Sequence, residues 1–259
     1  VKKSGSKLRN GILGGLAFAA AYLLFRFFIP ELFGGMPRSP AKAAVSVERL
    51  ASEDPFFRAL KTNFPEDWER VRFQLAEVLT SNDSTSVKRA RAHAIGQSIM
   101  LAKAPFAATA PTEDLLAVAE AERGVVEALA AENLPLCAAF STNGLPPGAV
   151  LSERALAQVS SAGQLRIVAA RKGADAGVDR ADPSEADWNA LISGMAAQQL
   201  APQTIDRIVA GRISDGSLRE QCDAGLAYHR AIGEMSPERA GRIVAYQIRE
   251  TAAQQSGTS

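Results

Sequence analysis

Residues 11 to 29, Gly-Ile-Leu-Gly-Gly-Leu-Ala-Phe-Ala-Ala-Ala-Tyr-Leu-Leu-Phe-Arg-Phe-Phe-Ile, run almost unbroken through apolar side chains. At about 1.5 Å of rise per helical residue, such a run matches the roughly 30 Å hydrocarbon layer of a bilayer. A helix there satisfies its own backbone and needs no protein core for its side chains. The expectation is one transmembrane helix over 11–29 and a separately folded domain beyond it. The one charge inside the run, Arg26, stands about a turn from Pro30, where its long stem lets the guanidinium reach the headgroups.

The flanks give a direction. Lys2, Lys3, Lys7 and Arg9 crowd residues 1–10, whereas Pro30 and Glu31 open the other side, and basic residues are retained on the cytoplasmic face. This predicts a cytoplasmic N-terminus and a large C-terminal part across the membrane, which in a bacterium means inner-membrane anchorage and a periplasmic domain. Membrane lipid is then the first expected partner. Gly11 and Gly15 hold a Gly-x-x-x-Gly spacing at the edge of the span, so self-association into a homo-oligomer is a second expectation. A signal peptide fits the flanks less well. Ala41-Lys42-Ala43 has the small-x-small form of a cleavage site but lies beyond Pro30, Pro37 and Pro40, far from the apolar run. A buried core helix would show a polar face, which this run lacks.

Residues 30–45, with those prolines and Gly34-Gly35, read as an extended linker. The segment 46–253 is long enough for one domain with an apolar core. The five cations ahead of Pro30 leave 24 basic against 28 acidic side chains in the remainder, a net of −4, which argues against nucleic acid as a partner. Only 6% of residues are aromatic and alanine is abundant, a composition for close-packed helices and not for sheets.

Helical grammar repeats along the domain. Pro55 and Pro65 stand at helix starts, the second leading Glu66 and Asp67 into a stripe of Trp68, Val71, Leu75, Val78 and Leu79. Helical spacing resumes at Val87 and runs to about Lys103. Thr112 reads as the cap of a helix carrying Leu115, Val118, Ala119, Val126 and Leu129, stopped by Asn133 and Pro135. Residues 142–150, with Asn143-Gly144 and Pro146-Pro147-Gly148, form a loop and a candidate hinge between subdomains. Ser152 caps a helix to about Arg171, residues 173–182 are a polar connection, and Ser184, Pro202 and Ser236-Pro237 open further helices. The sum is an all-α fold, a transmembrane helix followed by a bundle of about seven to nine helices, with a disordered tail over 254–259.

Chemistry is sparse in the pattern. His93 and His229 lack a metal-ligand partner at i+4, and phosphate loops, dinucleotide fingerprints and nucleophile elbows are missing, so neither a cofactor nor a metal is expected. Cys137 and Cys222 form an even pair in an expected oxidising compartment, a candidate disulfide. Its loop of about 85 residues corresponds to stabilisation on the order of 4 kcal/mol. Phe56, Phe57, Trp68 and Phe73 are concentrated near the membrane end and form a candidate partner patch, against the competing reading of core packing, in which the helical stripe turns Trp68 and Phe64 inward and leaves Phe73 out. The expected function is protein–protein interaction by a membrane-anchored, extracytoplasmic helical domain, as a scaffold, assembly factor or accessory subunit binding other envelope or membrane proteins. One alternative is a peptidoglycan-cleaving enzyme working through a single acid such as Glu77 or Glu120. The other is a transmembrane regulator of reversed topology.

Overall fold

The computed structural model describes the backbone of residues 39–256 and the side chains of 39–253. The basic N-terminus, the apolar run 11–29 and the first part of the linker lie outside the described residues. Among those described there is no strand, and no helix is long and apolar enough to cross a membrane. Eleven α-helices follow one another: α1 (Pro40–Glu53), α2 (Pro55–Asn63), α3 (Pro65–Thr80), α4 (Thr85–Ala108), α5 (Thr112–Glu132), α6 (Leu134–Thr142), α7 (Glu153–Ala176), α8 (Glu185–Ala197), α9 (Pro202–Val209), α10 (Leu218–Glu234) and α11 (Pro237–Ser256). A 3-10 turn, Ile213–Asp215, joins α9 to α10.

The count exceeds the expected seven to nine for local reasons. Pro40 does not extend the linker; it opens α1, with the Ser39 side chain accepting from the Lys42 amide, so the spacer read over 30–45 ends sooner. Single residues separate the first three helices. Asp54 both ends α1 and caps α2 through the Phe56 and Phe57 amides, and Phe64 stands between α2 and α3. The apolar stretch around Cys137 is a helix in its own right, capped by Asn133 on the Leu136 amide. Pro111 and not Thr112 occupies the cap position of α5, while Ser152, Ser184 and Ser217 cap as serines do, on the N3 amide. The last helix continues to Ser256, into the segment read as a disordered tail.

Two apolar clusters organise the packing. One gathers Val47, Leu60, Trp68, Leu75, Leu129, Phe140 and Val159; the other gathers Leu115, Trp188, Leu191, Tyr228 and Ile243. Three long helices belong to both. On α4, Ile99 and Met100 serve the first cluster and Ala104 and Ala107 the second; on α7, Val159 and Ile167 serve the first and Ala169 and Ala170 the second. On α5 the order reverses, from Leu115 and Val118 in the second to Val125 and Leu129 in the first. The three therefore run up, down and up, and α7 packs on α2, α4 and α5. Helices on both sides of 142–150 share the first cluster, so that loop is not a boundary between subdomains.

Small residues set the spacing of this frame. Gly173 of α7, placed by sequence in a polar connection, lies inside the helix against the end of α4. A Cβ there would stand 2.9 Å from both the Phe106 carbonyl carbon and Thr109 Oγ1, and closer still to the Phe106 carbonyl oxygen. Because the obstacle is backbone, Gly173→Ala must push α4 and α7 apart. The expected cost is about 1–3 kcal/mol or more, measured as a lower urea midpoint with an unchanged slope.

Candidate functional site

The boundary between the two clusters is polar. Glu122 sits on α5 between Ala119 and Val125, and Arg166 on α7 between Ala162 and Ile167, each in the middle of an apolar stripe. They form an ion pair of 2.6 Å, with the side chains only 4% and 8% exposed. Burial pushes the Glu122 carboxyl up from its ordinary range, against the pull of the Arg166 guanidinium. Tyr228 of α10 donates its hydroxyl to Gln247 Oε1 of α11, and burial together with the Glu122 charge pushes the phenol well above its usual value. Thr251 closes the group by donating to the Gln247 carbonyl at 2.8 Å.

His229, beside Tyr228 with ring centroids 5.0 Å apart, is 3% exposed. Burial depresses its pKa to about 3, a hydrogen bond to the Ala119 backbone raises it in part, and the Arg123 and Arg166 charges depress it further. The imidazole is therefore neutral at pH 7. Among the described residues no group of three His, Cys, Asp or Glu side chains could hold a metal ion. Glu122, Arg166, Tyr228, His229 and Gln247 are all less than a tenth exposed. With no access for a substrate, this geometry orients helices and does not position an acid and a base on a reacting bond.

The sequence-predicted residues fall in three places. Cys137 and Cys222, both fully buried, have Cα atoms 5.2 Å apart and Sγ atoms at bonding distance, and join α6 to α10. One turn further, a Cβ on Gly225 would meet Ser141 Cβ at 2.6 Å, so these two helices approach closely along a glycine. The aromatic patch is corrected. Phe56, Phe57 and Trp68 are each 1% exposed in the first core, with Phe57 edge-on to Phe56 and tilted against Trp68, because each falls on the inward stripe of its helix. Only Phe73 is open, 66% exposed on the outer face of α3. Phe64 is partly buried beneath Lys103, whose Nζ stands 4.3 Å from the ring centroid and pairs with Asp67. Lys2, Lys3, Lys7 and Arg9 lie outside the described residues. Glu77 and Glu120 lie on exposed faces, Glu120 paired with Arg123.

Sequence reading passed over Glu122 and Arg166. The signal was present: a charge at the i+3 or i+4 step of an apolar stripe, repeated on two helices with opposite sign, calls for a buried partner. No family model, no curated protein and no solved structure matches the chain.

Arg166→Met, which leaves Glu122 buried without its cation, should cost about 3–5 kcal/mol, whereas Glu122→Leu combined with Arg166→Met should recover most of that loss. Chemical denaturation of the two single variants and the double variant measures the coupling. The histidine makes a separate prediction. A folded pKa depressed from 6.5 to about 3 gives stability that is fully present above the unfolded value and is lost as pH falls through this window. Glu122, whose pKa is raised, has the opposite sign, so the comparison must isolate the imidazole. The stability of the wild type relative to His229→Gln should fall between pH 6.5 and about 3, by at most about 1.4 kcal/mol per pH unit. Urea titrations at several pH values should show that difference; a flat difference would refute the assignment of a neutral, buried imidazole.

Proposed function

We propose that this protein is held to a membrane by a single helix over residues 11–29 and that the domain beyond it binds other proteins on the far side of that membrane. One juxtaposition carries the reading: a basic-flanked apolar run ahead of a domain whose two cysteines stand at bonding distance in its core. Disulfides persist in oxidising compartments and are rare in the cytosol, and the cations of residues 1–10 favour the same orientation. Two independent signals thus support an extracytoplasmic domain, the periplasm in the case of a bacterium.

The interaction role is supported by the way the interior is used. The buried Glu122–Arg166 ion pair and the Tyr228–Gln247 hydrogen bond tie core groups to one another, while an aromatic ring is left open at the surface. Phe73 stands among the ion pairs Arg70 to Asp67 and Arg72 to Glu69. An apolar anchor within a charged rim is the composition of a binding hot spot.

Labelling of Cys137 and Cys222 in intact cells with a membrane-impermeant maleimide, with and without prior reduction, tests the placement. The expected result is a gel shift in the membrane fraction only after reduction. Labelling restricted to a membrane-permeant reagent, without any need for reduction, would place the domain in the cytoplasm and make a transmembrane regulator the better reading. Recovery of the full domain in the soluble fraction would remove the anchor altogether.

A further inference from the structure

The connection between α7 and α8 is pinned where the Val178 amide donates to the Thr109 carbonyl at 2.7 Å. Beyond that point it walls a pocket of about 130 Å³ against the end of α4 and one side of α11. Three arginines, Arg180, Arg242 and Arg249, line this small space together with Tyr246 and the apolar side chains of Pro105 and Val178.

Two of the arginines are matched. Arg242 grips the buried Asp187 carboxylate in a fork, Nε at 3.0 Å and Nη2 at 2.9 Å, and Arg249 pairs with Asp182 while its guanidinium lies 5.4 Å from the Tyr246 ring centroid. Asp187 also takes Arg239 at 3.5 Å, and Glu238 is a further acidic neighbour of Arg242, so the charge of Arg242 is already answered within the fold. Arg180 differs from both. Its Nη2 donates to the neutral Thr112 Oγ1 at 3.2 Å, and Nη1 is buried with no hydrogen-bond partner. Burial lowers its pKa, offset in part by the more distant Glu113. A guanidinium drawn partly out of water without a contacting carboxylate is destabilised, and a bound anion would relieve it.

We propose that this pocket binds a carboxylate carried beside an apolar group, with Arg180 as its principal cation. The planar guanidinium fork is matched to a carboxylate. The pocket is too small for a drug-sized ligand, which fills roughly 300 Å³ or more, so it accepts the charged group while the rest lies over Pro105 and Val178. Charge selects the kind of anion. Asp179 and Asp182 stand in the wall, and the carboxyl end of α4 adds negative potential, so a single negative charge is tolerated better than two. A carboxylate is therefore preferred to a phosphate dianion.

Isothermal titration of the purified full chain with N-acetyl-leucine, N-acetyl-leucine amide and inorganic phosphate tests this. Saturable millimolar or tighter binding of the acid, weaker binding of phosphate, no binding of the amide, and at least a tenfold loss in Arg180→Gln but not in Arg219→Gln is the result expected. No saturable binding of the acid overturns the proposal, as does equal binding of the amide, tighter binding of phosphate, or unchanged affinity in Arg180→Gln. The three ligands on the wild type decide the matter even if that variant fails to fold.

Discussion

Two opposite charges buried between two apolar clusters are the constraint on which the bundle turns. Glu122 and Arg166 occupy the midpoints of α5 and α7, where a shift of either helix by one turn would separate them inside a medium that cannot hydrate them. Such a pair adds little to stability against a well-packed apolar alternative, because desolvation of both ions consumes much of their attraction. Its effect is on register. Any slide of α5 against α7 separates the carboxylate from the guanidinium, at a cost that is a large fraction of the stability of a domain. Tyr228 and Gln247 extend the same constraint to α10 and α11, so four helices meet at one polar level.

Around that level the packing relies on small side chains. Ala104, Ala107 and Ala108 on α4 and Ala169 and Ala170 on α7 all lie in the second cluster, and Gly173 brings the two backbones closer than any larger residue permits. Large side chains fill the rest of both clusters, Phe57 against Phe56 and Trp68 in the first and Trp188 against Tyr246 in the second. Close backbone approach thus marks the contact of α4 with α7, and the long helices α4, α5 and α7 run through both clusters.

Much of this was legible in advance. Helix starts could be read because a capping serine or a proline in the first turn acts locally, as at Ser152, Ser184, Pro202 and Pro237. The cysteine pair could be read from its even count. Other features depend on what lies across the bundle. The run of alanines through Phe106 and the run through Gly173 each look like a helix end, yet each continues, because the two cover one another. The aromatic cluster divides between core and surface, as the helical stripe implies. Clustering in sequence brings side chains to the same region, but the helical angle between Trp68 and Phe73 sends one inward and the other outward. Glu122 and Arg166 were overlooked because each looks like a lone polar intrusion until the other helix is laid beside it. The apolar run over residues 11–29 lies outside the described residues, and its reading rests on the sequence alone.

The cysteine pair also changes what a cut in the chain can do. Its Sγ atoms enclose α7, α8, α9 and both exposed connections flanking α7, residues 143–152 and 177–184. Cleavage of any bond in that span leaves two fragments still covalently joined and still sharing the helices that form both cores. A protease that reaches these connections would therefore turn the protein into a two-chain form heavier only by the water of hydrolysis, visible as separate bands only once the bond between Cys137 and Cys222 is reduced.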